Sequence, residues 1–113
     1  MTKHIDKIAI LDQEWNVFFA DPHAPELFVD NTARMGTTWP ARCEIYISNE
    51  IKGNRLKRTL AHELVHALIE SSQIVKSESY TEEDLCEFMA IYAKPLHEFV
   101  DSLFNKCELI TRD

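Results

Sequence analysis

Two histidines four positions apart, His62 and His66, do most to limit what this chain can fold into. They lie in the run Arg58-Thr59-Leu60-Ala61-His62-Glu63-Leu64-Val65-His66-Ala67-Leu68-Ile69-Glu70. Leu56, Leu60, Leu64 and Leu68, with Ala61 and Val65, recur there at helical spacing, so a helix is expected from about residue 55 to residue 71. Side chains four apart on a helix project from one face. Two imidazoles so placed can grip one Zn²⁺, and the carboxylate of Glu63, next to the first, can reach a water on that ion.

The chain has 113 residues, enough for one small domain over 1–113 with a single core and no second catalytic lobe. With 45% hydrophobic and 27% charged residues, and only 2 Gly and 4 Pro, it does not read as disordered or repetitive. No apolar run approaches a membrane span, and Met1-Thr2-Lys3-His4-Ile5-Asp6 lacks the apolar stretch of a signal peptide. The expected setting is the cytosol. Three widely spaced cysteines, Cys43, Cys86 and Cys107, suggest neither a disulfide framework nor a zinc knuckle, and Cys86 is expected to be a small buried residue. A formal net charge of −7 opposes nucleic-acid binding, and no membrane partner is expected. The one basic cluster, Lys52, Arg55, Lys57 and Arg58, reads as a solvated face leading into the histidine helix.

Ile8-Ala9-Ile10-Leu11 and Trp15-Asn16-Val17-Phe18-Phe19 suggest two strands joined by a polar turn at Asp12-Gln13-Glu14, with a helix through residues 1–11 as the competing reading of the first. Pro22 and Pro25 mark a loop. Residues 34–39 suggest a weak strand stopped by Pro40, and residues 43–47 alternate cleanly as another. Thr81-Glu82-Glu83-Asp84 has the form of a capping box opening a long second helix. Leu85, Met89, Tyr92, Leu96, Phe99 and Leu103 form its core stripe, and Pro95 should kink or divide it. The expected fold is α+β: a small antiparallel or mixed sheet of three or four strands packed on the histidine helix and a C-terminal helix.

A zinc site on His62 and His66 needs a third protein ligand and an open fourth position. The start of the second helix offers Glu82, Glu83, Asp84 and Glu87, of which Asp84 is the expected cap. Glu82 falls on the apolar stripe, where metal ligation would account for a carboxylate. Glu83 and Glu87 share a face with Cys86, Ala90 and Ala93, whose small side chains allow close helix approach. Geometry leaves these open, with Glu83 the first choice and Glu87 the second. Glu63 is placed as general base, and Tyr80 and His97 are candidate donors to a developing oxyanion. Residues 34–38 are the best candidate for an exposed edge strand that takes a peptide by strand addition, with Gly36 allowing close approach.

Several of these pieces occur together in a known group. Cys43-Glu44-Ile45-Tyr46-Ile47, a basic linker, then Thr59-Leu60-Ala61-His62-Glu63-Leu64-Val65-His66, then Glu82-Glu83 through Phe88-Met89-Ala90 and Pro95, resembles the ImmA/IrrE-type metallopeptidases, especially short phage and mobile-element versions. The resemblance spans roughly residues 15–95. It implies a minimal zincin-like fold, zinc on His62, His66 and an acidic residue of the next helix, Glu83 on this chain, and Glu63 as the base. Asp84-Leu85-Cys86-Glu87-Phe88-Met89 follows the family's E-A-x-x-F-A register with Asp in place of Glu. Longer members cleave repressor-like regulators, but their target does not carry over to this chain; the expectation is a protein substrate, such as a repressor-like regulator, in the cytoplasm of a bacterial or phage-infected cell. The alternative is a non-catalytic zincin-like module that contacts a phage or host regulatory protein. Oligomeric state is left open.

Overall fold

Lys3–Ile10 (β1) and Gln13–Ala20 (β2) pair as an antiparallel hairpin in the computed structural model, which describes residues 2–72 and 81–111. Trp15, Val17 and Phe19 point to one side and are buried, as alternation in a strand requires. The competing helix through residues 1–11 is replaced by strand. The turn is tighter than the sequence suggests: Ile10 pairs with Gln13, so Leu11 and Asp12 make it, and Gln13 and Glu14 join β2. Leu11 has a left-handed φ of 55°, where its Cβ crowds the backbone. It is 61% exposed, so little burial offsets the strain. Leu11→Gly should raise stability by about 0.5–1 kcal/mol, read as a higher urea midpoint. A lower midpoint would mean that the leucine packs better than its exposure implies.

β1 buries three isoleucines by breaking its own alternation. His4 pairs with Phe18 but Asp6 with Val17, so Ile5 is the extra residue of a β-bulge. The bulge lets Ile5 join Ile8 and Ile10 in the core. Asp6 meets Lys106 of the C-terminal helix, Nζ to Oδ2 2.6 Å. Burial opposes ionisation of Asp6, but the hydrogen bond from Lys106, that from the Lys7 amide and the Lys106 charge outweigh it, and the carboxyl is held below its usual 3.8. A group lowered on folding contributes stability above its unfolded value and loses it as pH falls through the folded one. Both partners are partly exposed, so the pair contributes under about 1 kcal/mol. Lys106→Met should lower the thermal midpoint at pH 7, and the difference should close as pH falls towards 2. A penalty that persists there would mark lost packing instead.

After a one-turn helix at Pro25–Leu27, Phe28–Val29 (β3) and Thr32–Ala33 (β4) form a small antiparallel ribbon. Its two loop residues, Asp30 and Asn31, have φ of 51° and 60°, as a type I′ turn demands. Gly36–Trp39 (β5) then pairs antiparallel with Glu44–Ser48 (β6), and β6 lies parallel to β2. The result is one four-stranded mixed sheet in the order β1-β2-β6-β5, with β5 an edge strand. Two helices, Gly53–Ser72 (α1) and Glu82–Thr111 (α2), complete an α+β architecture of small zincin-like form.

Both faces of the sheet are covered. On one, Trp15, Val17, Phe19, Ile45 and Ile47 meet the leucine stripe of α1 and Phe88, Val100, Leu103 and Cys107 of α2. On the other, Tyr46 stacks on Phe18 at 5.0 Å and packs with Ala20 and Leu27. The far end of α1 is tied to the hairpin by Trp15 Nε1, which donates to Ser71 Oγ at 2.9 Å, and by that hydroxyl, which donates to Gln13 Oε1 at 2.8 Å.

The capping box forms: the Thr81 amide donates to Asp84 Oδ2 at 2.9 Å, and the Asp84 amide to Thr81 Oγ1 at 3.2 Å. α2 differs from expectation in not being divided at Pro95 and in exposing Leu85, Met89 and Cys86. It runs undivided through Pro95, whose missing N–H orphans the carbonyl of Ile91, on an exposed flank that water can reach. Leu85 and Met89 are exposed, and the packed stripe begins at Phe88. The helix is about 45 Å long and α1 only about 30 Å, so its first turns overrun their partner. Cys86 is exposed on the same overhang, while Cys107 is buried and its thiol pushed up to about 12 by burial. Among the described residues, no helix is long and apolar enough to cross a membrane.

Candidate metal centre

α1 buries Leu60, Leu64, Ala67 and Leu68 against the sheet and turns His62 and His66 to solvent. The two imidazoles are neighbours one turn apart, ring centroids 5.0 Å and planes 71° from each other. Glu63, rotated about 100° around the axis from His62, faces β5 instead and is only 6% exposed. The motif thus splits, with two imidazoles facing outward and one carboxylate held inside.

β5 does the holding. Gly36 and Thr38 lie on the strand face towards α1, because residues two apart share a face. The Thr38 hydroxyl donates to Glu63 Oε1 at 2.7 Å and lies 3.3 Å from the Glu63 carbonyl oxygen. Gly36 lets the strand come this close: a Cβ there would stand 2.8 Å from Thr59 Cγ2 and 3.0 Å from Glu63 Cγ. On the opposite face, Thr37 Oγ1 donates to the Glu26 carbonyl at 2.8 Å, and Trp39 Nε1 to the same oxygen at 3.2 Å. β5 is therefore anchored from behind while it positions Glu63 in front.

A groove of about 630 Å³ opens beside this contact, lined by Met35 and Gly36 where β5 begins and by the first half of α1, including His62 and Glu63. Arg34, Arg55 and Arg58 also line it. The basic cluster read as a solvated face is divided: Lys57 turns away, its Nζ 4.7 Å above the Phe104 ring, while Arg55 and Arg58 face the groove.

The donor set suits zinc in part. Two imidazoles on one exposed helix face match two of its positions, and an acidic neighbour beside a groove matches the needs of a hydrolytic site. Among the described residues no three His, Cys, Asp or Glu side chains gather as a metal-binding group. Glu82, Glu83 and Glu87 are exposed at the start of α2, and Asp84 serves as the cap. His97 is exposed on α2 and is not among the residues that line the groove, and Tyr80 lies outside the described residues. Residues 34–38 are legible as an edge strand at the site, but the Thr38–Glu63 contact, the packing of Thr59 and the place of Arg55 and Arg58 in the groove are not. Their identities were visible, but no local pattern shows which side chain a strand presents to a helix 25 residues later.

The fold and the histidine-bearing helix define a small zincin-like protein. Residues 1–94 match the family designated DUF2268, described as a predicted Zn-dependent protease, and the chain belongs to that family. No curated protein and no solved structure matches it.

Proposed function

We propose that the chain is a zinc-dependent metallopeptidase that hydrolyses peptide bonds of a protein substrate, with Glu63 as general base. The observation that carries this is the placement of Glu63: buried, clamped by Thr38, on the wall of a groove that also contains His62. His62 and His66 would hold the ion, with Glu83 as third ligand and Glu87 as the other candidate. When bound, zinc supplies Lewis acidity that brings the pKa of a water towards about 7 and polarises a carbonyl. With Oε1 fixed by Thr38, Glu63 takes the water's proton on Oε2 and returns it to the departing amine. The free edge of β5 offers backbone donors and acceptors to an extended substrate segment.

The family match supports the zinc-protease reading alone; we extend the proposal to a repressor-like regulator as the substrate, in the cytoplasm of a bacterial or phage-infected cell. A second reading, a zincin-like module that only binds such a regulator, draws on the absence of a third donor beside the histidines among the described residues. The test is digestion of a proteome-derived peptide mixture by the zinc-loaded protein, read by mass spectrometry. New peptide termini that vanish with 1,10-phenanthroline and return with added zinc are expected. No new termini in the zinc-loaded sample would overturn the peptidase reading.

A further inference from the structure

We infer that the groove selects an acidic peptide segment, through Arg34, Arg55 and Arg58, with the acidic side chain about two residues from the bond at Glu63. The clause about the bond rests on the peptidase reading; the acidic selectivity does not. All three arginines are exposed, line one groove, and form no ion pair with an acidic side chain among the described residues. By contrast Arg42, outside the groove, pairs with Glu44 at 3.8 Å. The start of α1 makes the charge imbalance sharper. A helix N-terminus carries partial positive charge and favours acidic residues, yet the first turn of α1 has none and places Arg55 there. Cationic side chains added to a positive helix end leave a surface that an anion stabilises.

Arginine pairs carboxylates through two parallel N–H donors, so the fit is to a side-chain carboxylate rather than to a diffuse field. The net charge of −7 does not prevent this, because charges beyond about 8 Å are largely screened at physiological salt. Spacing sets the position. Arg58 precedes His62 by four residues, about 6 Å along the helix. Alternate side chains of an extended peptide repeat at about 6.8 Å. A peptide on the β5 edge with one residue at His62 therefore brings the residue two away to Arg58. A single-stranded nucleic acid is the other polyanion, but such ligands are bound on aromatic stacking platforms. Among the described residues no Phe, Tyr or Trp lines this groove, and the exposed strand edge is complementary to a peptide backbone.

The experiment uses the full chain as Glu63→Gln, so that binding is read without cleavage, and as the unsubstituted protein for cleavage, both zinc-loaded. The probes are fluorescein-labelled twelve-residue peptides identical except for a central Asp-Asp, Asn-Asn or Lys-Lys pair, and a twelve-nucleotide oligo-dT. The Asp-Asp peptide should bind at least about tenfold more tightly than the Asn-Asn peptide, with the gap closing in 1 M NaCl. Arg55→Ala/Arg58→Ala should erase the gap, and Arg58→Glu should favour Lys-Lys. Equal binding of Asp-Asp and Asn-Asn, or equal or tighter binding of oligo-dT, overturns the inference. Acid-selective binding with no cleavage by the unsubstituted protein would support the groove and sink the peptidase reading. Cleavage without acid preference would do the reverse.

Discussion

Glu63→Gln should leave fold and zinc content unchanged while lowering peptide cleavage by about 10²–10⁴-fold, the range general-base catalysis supplies. The substitution is nearly isosteric. Its amide oxygen can still accept the Thr38 hydroxyl that now reaches Oε1 at 2.7 Å, so the buried contact between α1 and β5 survives. Only the second oxygen changes, from a proton acceptor to an amide nitrogen. Because Glu63 is buried and His62 and His66 are exposed, the change should not disturb the outward-facing pair. Circular dichroism and zinc content would establish that the variant is intact, and turnover of a cleavable peptide would give the effect. Full cleavage by an intact Glu63→Gln protein would remove Glu63 from the chemistry.

Gly36→Ala should damage stability and activity together. The new Cβ would lie 2.8 Å from Thr59 Cγ2, 3.0 Å from Glu63 Cγ and 3.2 Å from Glu63 Oε2. Thr59 cannot yield easily, since it is buried and its hydroxyl donates to the Arg55 carbonyl at 2.8 Å. Overpacking of this kind costs about 1–3 kcal/mol, read as a lower urea midpoint. β5 must retreat from α1, which loosens Thr38 from Glu63, and a displacement near 1 Å can cost about 10²-fold in rate. Thr59→Ser removes the worst contact and should restore part of the stability of Gly36→Ala, a coupling visible in a double-mutant cycle. The rate should recover less, because the contacts with Glu63 remain. A Gly36→Ala protein as stable and active as the parent would mean that β5 does not position the base.

How legible the molecule is from its sequence depends on how local each cause is. The leucine stripe of α1, the alternation of Trp15, Val17 and Phe19, and the Thr81/Asp84 cap rest on neighbours within a turn or two, and all appear in the structure. The register of β1 does not, because a bulge at Ile5 interrupts the alternation that a pattern reading requires. The β3–β4 ribbon carries a local signal: Asp30-Asn31 between Phe28-Val29 and Thr32-Ala33 suits a turn with both central φ positive. Leu85, Met89 and Cys86 have the spacing and composition of a buried face, but whether a face is buried depends on what lies opposite. The site divides in the same way. His62, Glu63 and His66 announce themselves by spacing, whereas Thr38 enters only when the sheet brings β5 against α1.

Equilibrium dialysis against zinc, with metal content read by mass spectrometry, tests the central claim most directly: that His62 and His66 form a zinc site. The unsubstituted protein should retain one zinc per chain. His62→Ala and His66→Ala should each keep the fold, both side chains being exposed, and lose at least about 100-fold in zinc affinity. A parent protein that emerges from zinc-replete dialysis without metal, or a folded His62→Ala protein that binds zinc as tightly as the parent, would contradict the account.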